Sequence, residues 1–137
     1  MRLSLLIVLG LALLSSAASA EPELPSVTRH VPSHPDSLLT GCSAGDRLVI
    51  ERGIAAAIEV GAPQYNDGDF LGCYQTYERA ARVLEASLPG ACSGPIRALR
   101  DGRQIALAAP SPAAKAWAMR DTFDGLLMVL DRVGLGH

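Results

Sequence analysis

Phe70, Tyr74, Tyr77, Ala81, Leu84 and Leu88 recur at steps of 4, 3, 4, 3 and 4 residues, with Cys73 and Ala80 beside them. Only an α-helix brings such a series onto one face. Its ends are punctuated: Asn66-Asp67-Gly68 is turn chemistry, Asp69 can cap the first turn, and Pro89-Gly90 stops the last. A helix that is apolar on one face must bury it against a partner. The rest of the chain supplies three.

Ile50, Ile54, Ala57 and Gly61 form a second stripe at steps of 4, 3 and 4, with Ser43 or Asp46 as its cap. Pro63 disfavours the helical conformation at Ala62, so this helix is expected to stop or kink there. Ser111-Pro112 opens a third helix, carried by Met119, Phe123, Leu126, Leu130 and Val133 and closed by Gly134 and Gly136. Between them, Ile96, Leu99 and Ala106 can share a face behind Pro95. Gly102 in the middle costs about 1 kcal/mol against alanine, and predicts a weak or broken helix. Nothing alternates as a strand does. The pattern predicts an all-α fold, either a small four-helix bundle or a tetratricopeptide-like pair of helical hairpins.

The amino terminus reads as an export signal. Arg2 precedes the apolar run Leu3–Leu14, and Ala18-Ser19-Ala20 is a small-residue cleavage site, with the cut expected after Ala20. Twelve apolar residues are too few to span a bilayer as a helix. The expected organisation is a signal peptide over 1–20, a flexible proline-rich leader over 21–44 and a helical domain over 45–137. Without Arg2 the chain has 11 basic and 14 acidic residues, a net charge of about −3. This argues against a basic nucleic-acid binder. A cleavable signal and a basic set with one lysine, Lys115, suit a bacterial periplasmic or secreted protein, with no membrane span once the signal is cut.

Export permits disulfides, and three cysteines allow at most one within the chain. In a hairpin of the first two helices, Cys42 and Cys92 lie at one end and Cys73 near the turn. Roughly 22 Å of helix separates Cys73 from Leu88. A Cys73–Cys92 bridge is thereby excluded, since its Cα atoms must lie within about 7 Å. The favoured pair is Cys42–Cys92, leaving Cys73 a buried free thiol. The alternative is a Cys42 in the leader that stays reduced or reaches Cys73.

The segment Glu59–Ala80 is similar to one tetratricopeptide unit, with Gly61 in its first helix, Gly68-Asp69-Phe70 at the turn and Cys73, Tyr77 and Ala80 on the second. No second copy follows near a 34-residue period, so the likeness implies a helical hairpin and no repeat scaffold. A longer resemblance covers residues 54–130. Gly61-Ala62-Pro63-Gln64-Tyr65-Asn66-Asp67-Gly68-Asp69, Cys73 with Tyr77-Glu78, and Ala116-Trp117 with Arg120 and Asp124 resemble a group of uncharacterised exported bacterial helical proteins. That resemblance implies a fold and a compartment, and no activity.

No established catalytic motif, glycine-rich phosphate loop or haem-attachment motif is present. Trp117, Arg120 and Asp124 fall within about 60° of one another on the last helix, beside its core stripe. With Tyr65 they form the favoured binding surface, for a protein or small-molecule partner of the envelope. A packing edge with a solvated Arg120–Asp124 pair is the plainer reading, and Tyr65, Asn66 and Asp69 can equally lock the turn. The expectation is a non-enzymatic binding or interaction module without a cofactor. A thiol-dependent or redox enzyme using Cys73, and a purely structural envelope protein, are the alternatives. His30 and His34 are ligand types, but Pro32 between them opposes a helix and a closed zinc site wants four ligands. Glu78, Arg82 and Glu85 read as a solvated face. Arg97, Arg100 and Arg103 make a small basic run open to an anionic partner.

Overall fold

The structure, a computed structural model, describes residues 12–14 and 23–134. Most of the expected signal, with its cleavage site, lies outside the described residues, as do Gly136 and His137. The described chain is all-helical: a 3-10 turn at Asp36–Leu39, then α1 (Ala44–Asn66), α2 (Phe70–Ser87), α3 (Ser93–Ala108) and α4 (Pro112–Val133). These four form a small bundle. α1 pairs with α2 and α3 with α4, while α2 and α4 also pack on each other, so these two make its centre.

Each helix starts where its first turn finds a partner. The Ser43 hydroxyl accepts from the Asp46 amide and the Asp46 carboxylate accepts from the Ser43 amide, a reciprocal box that opens α1. Asp69 accepts from Gly72 to open α2, and Ser111 accepts from Ala114 ahead of Pro112 to open α4. The expected stripes face inward. Ile50, Ile54, Tyr77, Ala81, Leu84, Leu99, Met119, Phe123, Leu126 and Leu130 are buried in one core.

Two expectations are corrected. Pro63 does not stop α1, which runs on to Asn66 with the proline inside it. Asp69 donates to the Gln64 carbonyl and Gly68, at φ +86°, donates to the Tyr65 carbonyl, a Schellman closure that satisfies the orphaned acceptors. Nor does Gly102 break α3, which is continuous from Ser93 to Ala108. A Cβ at Gly102 would lie 2.1 Å from the Thr122 hydroxyl oxygen. The close α3–α4 approach that this glycine permits outweighs its poor helix propensity.

Residues 23–35 carry no regular structure, as their prolines dictate, and the 3-10 turn follows, but the segment does not stand apart from the bundle as a flexible leader would. Leu39 is buried, and the Leu38 carbonyl lies where a Cβ on Gly94 would be, 2.0 Å away. Pro32 lies similarly against Gly125 of α4. Arg132 of α4 donates to the Asp36 carboxylate at 2.7 Å and to the His34 carbonyl at 2.6 Å. Cys42 and Cys92 are disulfide-bonded, with Cα atoms 4.4 Å apart, and Cys73 is free and buried. The segment is a strap laid along α4 and covalently fastened at its end.

Candidate functional site

The carboxyl end of α1 and the amino-terminal halves of α2 and α4 meet around a cavity of about 170 Å³. α1 contributes Ala62, Tyr65 and Asn66, α2 contributes Cys73 and Tyr77, and α4 contributes Ala116, Trp117 and Arg120. Small residues create the space. Ala62 and Ala116 leave room in the wall, and Gly61 lets Tyr77 against α1, since a Cβ there would lie 2.3 Å from the Tyr77 ring. The closure after Asn66 turns Phe70 back onto Tyr65, with ring centroids 4.7 Å apart. The Tyr65 ring also meets Trp117 edge-on at 5.6 Å.

Charge reaches the cavity through Arg120 alone among its lining residues, and that charge is already paired. Arg120 donates to one Asp124 oxygen at 2.9 Å, and Arg29 of the strap donates to the other at 2.5 Å. Arg29 also donates to Asp121 at 2.5 Å, and the His30 amide donates to the second Asp121 oxygen at 2.6 Å. The Arg29 guanidinium sits 4.5 Å from the centre of the Trp117 ring. Two guanidinium groups and two carboxylates thus balance behind the cavity. Burial pulls the Arg120 pKa down, but Asp124 and then Tyr77 outweigh it and leave the group above its ordinary value.

Two further groups of the wall, Tyr77 and Cys73, are held neutral. Burial, and then the neighbouring thiol of Cys73, push the Tyr77 hydroxyl up to about 12. Burial likewise raises the Cys73 thiol, against the smaller pull of Tyr77 and Arg120. A thiol 1% exposed and pushed upward is a poor nucleophile at neutral pH. Tyr65 is 7% exposed, and its buried hydroxyl has no hydrogen-bond partner among the described residues. An unmet buried hydroxyl costs about 1–3 kcal/mol. Tyr65→Phe is therefore expected to raise stability by about 1 kcal/mol, read as a higher urea midpoint with an unchanged slope.

Of the residues singled out in the sequence, Tyr65, Trp117 and Arg120 line one cavity, with Asn66 between them. Asp124 stands behind it and holds Arg120. Asp69 instead caps α2. Sequence reasoning missed Tyr77 and Cys73 as wall residues, although their place on the inner stripe of α2 was legible. It also missed Arg29 and Asp121, for which no local signal exists.

The basic run is mostly spent on α2. Arg103 donates to both Glu85 oxygens, at 2.6 and 3.1 Å, and Arg100 lies 3.8 Å from Glu85. Arg103 also reaches Glu78 at 3.4 Å, and Glu78 pairs with Arg82. The Glu78–Glu85 face is thus the α2–α3 seam, not a solvated face.

No group of three or more metal-ligating side chains comes together among the described residues. His34 has a different consequence. Its Nε2 is buried without a partner among the described residues, and burial first, then the Arg132 charge, lowers its pKa below the ordinary 6.5. The folded state therefore takes a proton less readily than the unfolded chain. His34's contribution is fully present above about pH 6.5 and is lost as pH falls through the lowered folded value. A lower urea midpoint at pH 5.5 than at pH 7.5 is expected, with a smaller difference in His34→Gln.

No family model, no curated protein and no solved structure matches the chain.

Proposed function

We propose that this chain is an exported helical binding module, acting in the bacterial periplasm or secreted, whose site is the cavity between α1, α2 and α4. The observation that carries this reading is the meeting of Tyr65 of α1 with Trp117 and Arg120 of α4, 52 and 55 residues further along the chain, around one open space. A bundle built only for stability would close such a space with larger side chains than Ala62 and Ala116. The signal-like amino terminus and the resemblance to exported bacterial helical proteins support the compartment. A disulfide and the absence, among the described residues, of any helix long and apolar enough to cross a membrane are compatible with it. A thiol-dependent enzyme on Cys73 is the weaker reading, because burial raises that thiol and the cavity lining holds no carboxylate or histidine.

Native mass spectrometry of protein purified from its host's envelope fraction tests the proposal. Cleavage after Ala20, one disulfide and a bound mass that falls away on denaturation are expected. Trp117→Ala and Arg120→Ala are expected to lose that mass while still giving folded protein. Retention of the same mass by both variants would remove the cavity from consideration.

A further inference from the structure

Ile50, Ile54, Ala57 and Gly61 are the buried side of α1, which packs on α2 and, over a shorter stretch, on α4. From Val49 to Val60 the exposed residues of the helix are Val49, Arg52, Ala55, Ala56, Glu59 and Val60. Four of these six are apolar, and the two valines stand 44% and 55% exposed. A surface helix ordinarily turns charged and polar side chains to water on the side away from its core, whereas a helix apolar on both sides is one that is covered on both. Here the outer side is an apolar strip carrying two charges, and no other described helix covers it.

Those two charges are unspent. Neither Arg52 nor Glu59 makes an ion pair among the described residues, although eight such pairs form elsewhere. They are seven residues apart, close to two helical turns, so they share a face about 10 Å apart along the axis and do not reach each other. Their midpoint falls between Ala55 and Ala56.

That arrangement is complementary to itself. A second α1 laid antiparallel across the first, about a twofold axis through the midpoint, brings each Arg52 level with the partner's Glu59. Both ion pairs form at once, and no like charges face each other. Ala55 and Ala56 lie at the crossing, where small side chains let helix axes approach to about 8 Å. We propose that this face of α1 binds a second copy of the chain, as an antiparallel twofold dimer in which Arg52 of each copy pairs with the partner's Glu59. One surface meeting itself across a twofold axis is the commonest symmetry of soluble oligomers. The inference is independent of the cavity. One helix face per copy is a small interface, in the class of transient encounters, so the dimer exchanges with monomer, and its exposed ion pairs make it weaker in high salt.

Sedimentation velocity of the purified exported chain, over a roughly hundredfold range of concentration ending at about 1 mM, is expected to show monomer and dimer in exchange. Arg52→Glu and Glu59→Arg each set like charges opposite one another at two places, and each should raise the dimer Kd about tenfold or more. Both positions are exposed, so neither reversal touches the core. Arg52→Glu/Glu59→Arg restores opposite charges across the axis and should dimerise as the native chain does. An equimolar mixture of the two single variants should form the heterodimer, since one then carries two acidic residues on this face and the other two basic ones. Both rescues follow from the antiparallel register and from no property of the single chain. A chain that is monomeric throughout, a dimer indifferent to both reversals, or a double variant as weak as the single ones would overturn the proposal.

Discussion

Loss of the Cys42–Cys92 bridge is expected to lower stability by about 4 kcal/mol, the cost in chain entropy of opening a loop of this length. The two cysteines are 50 residues apart, and the loop they close holds all of α1 and α2. The bond also fixes the end of the strap to the connection entering α3. Cys42→Ser/Cys92→Ser is the cleaner comparison, because the reduced native chain holds three thiols that air can re-oxidise in the native or another pairing. Urea titration of both forms gives the difference, and a change below about 1 kcal/mol would mean that the strap and the α1–α2 hairpin hold themselves together. The bond lies at the far end of α1 from the cavity, about 34 Å away for a 23-residue helix. The folded fraction of the double variant should therefore keep its Trp117 indole resonance in place.

That bridge shows how much of this molecule was legible in its sequence. Helical steps put Cys42 and Cys92 at one end of a hairpin and Cys73 at the other, so periodicity and rise per residue were enough to favour the pair. The same arithmetic placed α2 and α4, where the apolar series are long and their ends carry Asp69, Ser111 and Pro112. It failed at Pro63 and Gly102, and for one reason. Both residues weaken a helix locally, and neither local cost decides the outcome: α1 runs on past Pro63 to Asn66, and α3 runs through Gly102, which lies against Thr122 of α4. Of the cavity, Tyr65, Trp117 and Arg120 could be named as residues flanking core stripes. That they surround one space depends on α1 continuing past Pro63, which carries Tyr65 to the level of Trp117. The strap left no periodic trace at all. It is held by backbone lying against Gly94 and Gly125 and by ion pairs spanning more than 90 residues, and neither has a spacing to read.

Arg29→Ala is expected to cost about 2–3 kcal/mol, the second largest effect, although Arg29 lies in the segment whose sequence gave least reason to notice it. The Asp121 side chain is only 6% exposed, and Arg29 is its one cationic partner among the described residues. Removing one member of a buried pair costs about 3–5 kcal/mol, because the other charge stays behind in a poor solvent. Two features reduce that figure here. The Arg29 side chain is 41% exposed, so water screens the pair, and the His30 amide still donates to Asp121 in the variant. Arg29→Lys should recover only part of the loss, since an ammonium keeps the charge but cannot donate to Asp121 and Asp124 from one planar fork while lying on the Trp117 ring. Adding Asp121→Asn to Arg29→Ala removes the stranded charge and should return about 1 kcal/mol or more, whereas a simple loss of packing would leave the double variant no better than the single. Urea titration separates the two. Trp117 fluorescence gives an independent reading, since the guanidinium covers one face of the only indole, and a strap that lifts away must change its emission. If Arg29→Ala costs less than about 0.5 kcal/mol and leaves that emission unchanged, the strap rests on α4 without holding it, and the neutral charge balance behind the cavity has to be set by Arg120 and Asp124 alone.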